Sequence, residues 1–358
     1  KKKKTPHLPP KFPAKMALAA FTEESRYAVE EVHVPAGTRA LGAFVFRTCT
    51  SLARVHLPDG MDTIGASAFL GCSALESIGL PRTLTQLEPA AFCACIRLRH
   101  VGLPGGLRTI AEATFRNCTA LESVALPADL TCIDKYAFSG CTALVSIEIP
   151  ATTTVIGAGA FAYCNSLTSV RLPDALERMG TGAFGECTQL YHVALPPAFD
   201  VLPEFCFSYC SSLTDVENLG GVSHVQAYAF IGCSLRRVVG NFQSVAERAF
   251  SWCSVLEHVD LLAPCTVGSC AFSQCPRLHV AHMAAGVRLI DAYTFASECT
   301  EFRLHAPGLL LFACAARATP LLCLLGPDLV RHILFLAHGD TFDILKRRRR
   351  RWMLGLVA

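Results

Sequence analysis

Nine phenylalanines, Phe46, Phe69, Phe92, Phe115, Phe138, Phe161, Phe184, Phe207 and Phe230, stand 23 residues apart. Eight equal intervals are far beyond chance for 22 phenylalanines in 358 residues. A fixed period of this size means stacked copies of one structural unit, none of which can bury its apolar face alone. The period constrains the architecture closely and says little about what the chain binds.

One period, Ile156 to Pro173, reads IGAGAFAYCNSLTSVRLP. Its frame is Ile-Gly-x-x-Ala-Phe-x-x-Cys-x-x-Leu-x-x-Val-x-Leu-Pro. The frame recurs with Phe69, Cys72, Leu75, Ile78 and Leu80, with Phe115, Cys118, Leu121, Val124 and Leu126, and with Phe138, Cys141, Leu144, Ile147 and Ile149. After Phe230 the spacing slips to 20, 22 and 23, at Phe250, Phe272 and Phe295. Val29, Val32, Val34 and Pro35 read as the strand half of an incomplete first repeat, so the array runs from about Arg26 to about Pro307. The alternating apolar pair of Val-x-Leu suits a short strand, which proline ends because it has no N–H for the ladder. Ile-Gly begins a second short extended or turning segment. Apolar spacing of three in Ala-Phe-x-x-Cys-x-x-Leu predicts one or two helical turns. Roughly twelve such coils at about 4.8 Å spacing would span about 55–60 Å.

This frame resembles the BspA-like leucine-rich-repeat family over about 280 of the 358 residues. The resemblance implies an α/β repeat solenoid, a curved leucine-rich-repeat arc with a parallel sheet on the concave side. It also implies protein binding or adhesion rather than catalysis, with no ligand residues to carry over. The expected organisation is a basic tail over 1–20, the solenoid over 21–308, an apolar segment over 309–345 and a basic tail over 346–358.

The 19 cysteines invite a disulfide or metal reading, and their placement argues against both. Cys49, Cys72, Cys95, Cys118, Cys141, Cys164, Cys187, Cys210, Cys233, Cys253 and Cys275 share one repeat column, and Cys299 falls one residue late. A thiol in an inward column behaves as a small buried hydrophobe with a weak donor. Cys93 with Cys95, and Cys265 with Cys270, lack a repeated metal-ligand spacing, so no metal site and no cofactor is expected. Abundant unpaired thiols favour a reducing compartment, cytoplasmic or nuclear.

The net charge of +3 conceals three zones. Residues 1–15 hold six lysines, and 346–351 are Lys followed by five arginines. Removing these twelve bases leaves 20 Lys+Arg against 29 Asp+Glu, a balance of −9. A mildly acidic solenoid argues against nucleic-acid binding along its surface, which needs a basic stripe. The chain begins without Met, the first being Met16, which reads as a fragment or a misplaced start. No apolar stretch after Met16 is long enough for a signal peptide, although a cell-surface or adhesion protein with a missing signal stays open. The basic run at Lys346–Arg351 reads as a solvated tail, a nuclear localisation signal or an anionic-lipid contact.

From Leu309 to Ala337 the repeat breaks. The stretch 308–326 has the length of a membrane span, but Arg317 and Pro320 near its centre make insertion costly, so a membrane is not the expected partner. A short helical C-terminal cap over the last coil is the expected reading. Pro327, Asp328, Leu329, Val330, Ile333, Leu334 and Leu336 also resemble the first helix of an F-box, with Ile344, Leu345 and Trp352 where that motif continues. That resemblance implies an adaptor recruiting a ubiquitin ligase.

Side chains flanking the inward Val column should face solvent on the concave side. The middle coils present Ser, Gly and Ala there, and His, Arg and acids interrupt them. A protein partner is therefore expected to touch His56, His100, Glu148, Arg171, His192, Asp215 and Glu217. No catalytic set emerges. His100 and His192 are four coils apart, about 19 Å, beyond shared proton transfer, and no glycine-rich phosphate loop is present.

Overall fold

The computed structural model describes residues 27–290, with 293–295 and 299, and the backbone of 301–304 and 310–311. The expectations for the N-terminal tail, the C-terminal cap, the membrane span, the F-box-like segment and the final basic run lie outside these residues. The chain divides into two compact units, Lys1–Leu190 and Tyr191–Ala358. Each is a parallel-strand β-solenoid, and the described residues make about eleven turns.

In the first unit most coils contribute two short strands and a turn segment, and in the coil of Ile147 the Val-column strand is reduced to a single bridge from Ser146 to Ser169. One set of strands holds the Val column: Glu31–His33, Arg54–His56, Ser77–Ile78, His100–Gly102, Ser123–Ala125 and Ser169–Arg171. Within it Ser77–Ile78, His100–Gly102 and Ser123–Ala125 form one parallel ladder, with Ile78 beside Val101 and Val101 beside Val124. The Ile-Gly segments form the second set. There Ile110, Ile133, Ile156 and Met179 follow one another in register, one repeat period at each step. Gly157 has no alternative at its position. A Cβ there would run into the Lys135 backbone nitrogen of the preceding coil. The second unit repeats the plan with longer strands, Arg237–Gly240, His258–Leu261 and Val280–Met283, paired in parallel. Its shortened coil also buries Phe242, which lies outside the phenylalanine column. That ring rests on Gly240, where a Cβ would collide with it.

The third side of each coil departs from the sequence expectation. It is a chain of β-turns rather than one or two helical turns, and the one helix among the described residues is the 3-10 turn Leu219–Gly221. Two residues per coil, two before and two after the phenylalanine, take positive φ: Ser67 and Gly71, Ala113 and Asn117, Tyr136 and Gly140. Left-handed residues at these points cannot propagate a right-handed helix. Alternate N–H groups bond the next coil instead. Phe46 N–H donates to the Ala68 carbonyl at 2.8 Å, and Thr48 N–H to Leu70 at 2.7 Å. The spacing of three is real, but it belongs to successive turns closed from i to i+3, such as Cys72 N–H on the Phe69 carbonyl.

Inside, the phenylalanines are fully buried and stacked. In the first unit the centroids from Phe46 to Phe184 are 5.1–5.6 Å apart, with planes within 20°. In the second, Phe207, Phe230, Phe250 and Phe272 continue the same pattern at 5.2–5.5 Å. This is the offset-stacked arrangement that aromatic quadrupoles favour. Beneath the rings lie the column cysteines, all free thiols where described. From Cys72 to Cys187, and at Cys233, Cys253 and Cys275, the thiol donates its S–H to the carbonyl of the phenylalanine one coil earlier, as Cys141 does to Phe115 at 3.2 Å and Cys164 to Phe138 at 3.2 Å. That carbonyl already accepts the N–H of its own coil's cysteine, as Phe138 does from Cys141 at 3.1 Å. The thiol therefore fills the second lone pair of a buried carbonyl, which no aliphatic side chain of that size could do.

Phe138→Ala is expected to destabilise the protein by about 3–5 kcal/mol, because it empties a closed site and removes two stacks. An unchanged denaturant midpoint would show that the ring carries no packing energy. Burial, then repulsion from the thiols of neighbouring coils, pushes Cys141 and Cys164 well above the ordinary thiol range. Both should resist alkylation until denaturant is added. The unfolded thiols ionise near pH 8.5 while the folded ones stay protonated. Stability should thus be intact below about pH 8.5 and fall above it, by about 1.4 kcal/mol per pH unit for each buried thiol. Equal urea midpoints at pH 7.5 and 9.5 would contradict this.

Candidate functional site

The strands carrying the Val column present alternate side chains outward, because strand side chains alternate between faces. In the first unit Val55, Val101 and Val124 point into the core, while Arg54, His56, His100, Gly102, Ser123 and Ala125 stay exposed. Glu148 and Arg171 are exposed on the same column one coil apart. Ser123, Ala125, Ala128, Ser146, Glu148 and Pro150 are among the residues lining an open depression of about 650 Å³. Small side chains leave the backbone open to approach there. His100 lies in register between Ser77 and Ser123, with no acid or nucleophile beyond these hydroxyls as its lateral neighbour.

At the start of this unit the face is charged. Glu31 and His33 pair in register with Arg54 and His56. Glu31 Oε1 lies 2.9 Å from His56 Nε2, and Arg54 Nη2 donates to Glu31 Oε2 at 3.2 Å. Hydrogen bonds from His56 and Arg54 hold the Glu31 carboxyl below its ordinary range. The His33 and His56 rings stack at 4.1 Å, 7° from parallel.

The second unit brings together three of the expected residues. His192 is half-buried, with Nδ1 2.8 Å from Asp215 Oδ2 and Nε2 3.6 Å from Glu217 Oε1. Each ring nitrogen faces a carboxylate, so the imidazole ties neighbouring coils together. Two other flanking residues are not in solvent as the alternation predicts. Ala194 and Asp260 are each 4% exposed. Asp260 accepts from Arg237 Nε at 3.0 Å and sits 2.6 Å from His282 Nδ1. Burial alone would raise its carboxyl, yet Arg237 and His282 hold it below the ordinary range.

A second exposed feature is not legible in the repeat frame. The left-handed positions of the turn side carry aromatic side chains that point outward. They are Phe44, Tyr136 and Tyr163 in the first unit, and Phe205, Tyr209 and Trp252 in the second, with Tyr228 half-buried at an equivalent position. Arg116 lies over Tyr136 at 5.3 Å, and Phe205 stacks on Tyr228 at 4.7 Å. The signal is present at two fixed offsets from each phenylalanine, but a helical reading sends those positions to the wrong side of the coil.

Parallel strands in register, a stacked interior and coils of 20 to 23 residues fit a leucine-rich-repeat solenoid. The family model for the BspA type leucine rich repeat region matches residues 19–145, 131–257 and 240–306, and the chain belongs to that family. A leucine-rich repeat protein from Bacteroides ovatus is 25% identical over 78% of this chain and 84% of its own, with a TM-score of 0.59. A leucine rich cell surface protein from Faecalibacterium prausnitzii is 24% identical over 78% of this chain and 80% of its own, with a TM-score of 0.50, and shows the shared fold. No curated protein matches the chain. Families of this kind are usually non-enzymatic and generally bind proteins. The comparisons give no support to the cytoplasmic or nuclear location expected from thiols and the basic run. No helix among the described residues is long and apolar enough to cross a membrane.

Replacing Asp260 by Asn should cost about 1.5–3 kcal/mol, the range for a hydrogen bond to a charged group. The lowered carboxyl contributes stability above its unfolded pKa of about 3.9, and that share is lost as pH falls through the folded value. The variant's denaturant midpoint should therefore vary less than the wild type's between pH 5 and pH 3. Identical acid dependence would remove Asp260 from the account.

Proposed function

We propose that the chain is a non-catalytic scaffold that binds a protein partner through the strand face of its first unit. The observation that carries this reading is the depression lined by Ser123, Ala125, Ser146 and Glu148. His100 and Arg171 stand exposed on the strands around it. Small residues admit a partner's backbone, and the flanking charged and aromatic groups supply the few contacts in which binding energy concentrates. Arg171 is suited to this because its guanidinium can engage a carboxylate with two parallel hydrogen bonds. In the second unit His192, Asp215 and Glu217 are occupied with one another, so their contribution to a partner would be through charge rather than through an unengaged imidazole.

The exposed aromatic side chains of the turn side favour a second reading, in which that face docks the partner. Aromatic residues are enriched at interfaces, where they bring large contact area at small entropic cost. Glu186 lies on that side, at the left-handed position occupied in the preceding coil by Tyr163.

Partners captured by cross-linking to the wild type, then measured singly, separate the two faces. Arg171→Glu should weaken a strand-face partner more than tenfold, about 1.4 kcal/mol, and leave thermal unfolding unchanged. Glu186→Lys should do little. Loss of binding with Glu186→Lys alone would move the working surface to the turn side.

A further inference from the structure

We propose that Glu31, His33 and His56 form a site for a divalent transition-metal ion of the zinc, cobalt or nickel type. The inference is independent of the partner reading, and it concerns residues that the cysteine spacings gave no reason to consider. Parallel pairing sets the geometry. Glu31 and His33 are two apart on one strand, so both side chains emerge on the same side, and His56 stands directly opposite His33 on the next strand. The pairing follows the repeat period, so it is fixed by the stacking of coils and not by a loop.

Glu31, His33 and His56 each offer one donor atom, and the three atoms lie within 4.8 Å of one another. The carboxylate oxygen is 2.9 Å from the His56 nitrogen and 3.6 Å from the His33 nitrogen. A tetrahedral ion with bonds of about 2.0–2.1 Å needs its donors about 3.3 Å apart. The two carboxylate–imidazole separations straddle that value. Two imidazoles and one carboxylate form the borderline donor set that suits these ions better than magnesium or calcium, which prefer all-oxygen sites. The near-parallel stacking of the two rings brings both imidazoles to one side of the strands, next to the carboxylate. Arg54 holds the other carboxylate oxygen and so fixes the orientation of Oε1. Binding would replace the His56–Glu31 hydrogen bond by two bonds to the ion. The rings would tilt toward each other so that each lone pair meets the metal. Three protein donors leave coordination positions for water or for a side chain from outside.

The test is a titration of the reduced full chain with cobalt, followed by zinc competition. About one cobalt per chain is expected, with the weak visible bands of nitrogen and oxygen coordination and without the near-ultraviolet band of sulfur coordination. Zinc should displace it. His33→Ala and His56→Ala should each weaken binding by more than about tenfold, and His192→Ala should leave it unchanged. Glu31→Gln keeps the shape and a hydrogen-bonding group and should weaken binding likewise, which guards against a variant that folds poorly. No cobalt binding, a sulfur band, or equal affinity in the three site variants and the wild type would each overturn the proposal.

Discussion

The contact of one buried phenylalanine ring with the ring of the next coil is the interaction on which everything else depends. A single coil has no interior, because its apolar residues point to a centre too small to exclude water. Stacking supplies the interior. The ring fills the space on the turn side, the inward Val and Leu columns fill the rest, and the coil spacing is set by backbone hydrogen bonds on all three sides. The cysteine beneath each ring completes this arrangement. Its S–H satisfies a carbonyl that the turn geometry turns inward, which explains why the same residue type recurs where a small hydrophobe alone would have packed as well.

Because the interior columns are spent on packing, variation accumulates on the two outward faces. On the strand face the alternation leaves a row of side chains free of core duties, and there the chain places serine, alanine and glycine beside His100, Glu148 and Arg171. On the turn side the left-handed positions push side chains into solvent, and aromatic residues occupy many of them. Non-glycine residues in that conformation are held by the inter-coil hydrogen bonds around them, since isolated they would favour other backbone angles. A partner surface can thus be assembled on either face without disturbing the stack.

Charged residues on the strand face follow a different logic. In-register stacking puts each residue beside its counterpart one period on, so polar groups at that spacing become neighbours. Glu31 with Arg54, His192 with Asp215, and Asp260 with Arg237 across a diagonal are ion pairs of this kind. Most are exposed and contribute little to stability. Asp260 differs because its carboxylate is buried, and without Arg237 and His282 it would be an uncompensated charge.

The repeat period by itself determined the stacked coils and the inward columns of Phe, Cys, Leu and Val, the cysteine column suggested reduced thiols, and the parallel sheet came with the family resemblance. The columns follow because identical coils must bury identical positions. The sequence did not reveal what the chain does between those positions. The spacing of three around Phe138 fits a helix and a run of β-turns equally, and only the left-handed backbone at Tyr136 and Gly140, with N–H groups bonded to the next coil, decides for turns. Asp260 and Ala194 look outward by alternation, yet neighbouring coils cover them. Glu31 and His33 belong to a coil too incomplete to show the repeat frame, so their meeting with His56 appears only once the strands are paired. The period fixes which residues are equivalent, but contacts between coils depend on backbone direction and on the side chains of the next coil, which only the folded stack brings into place.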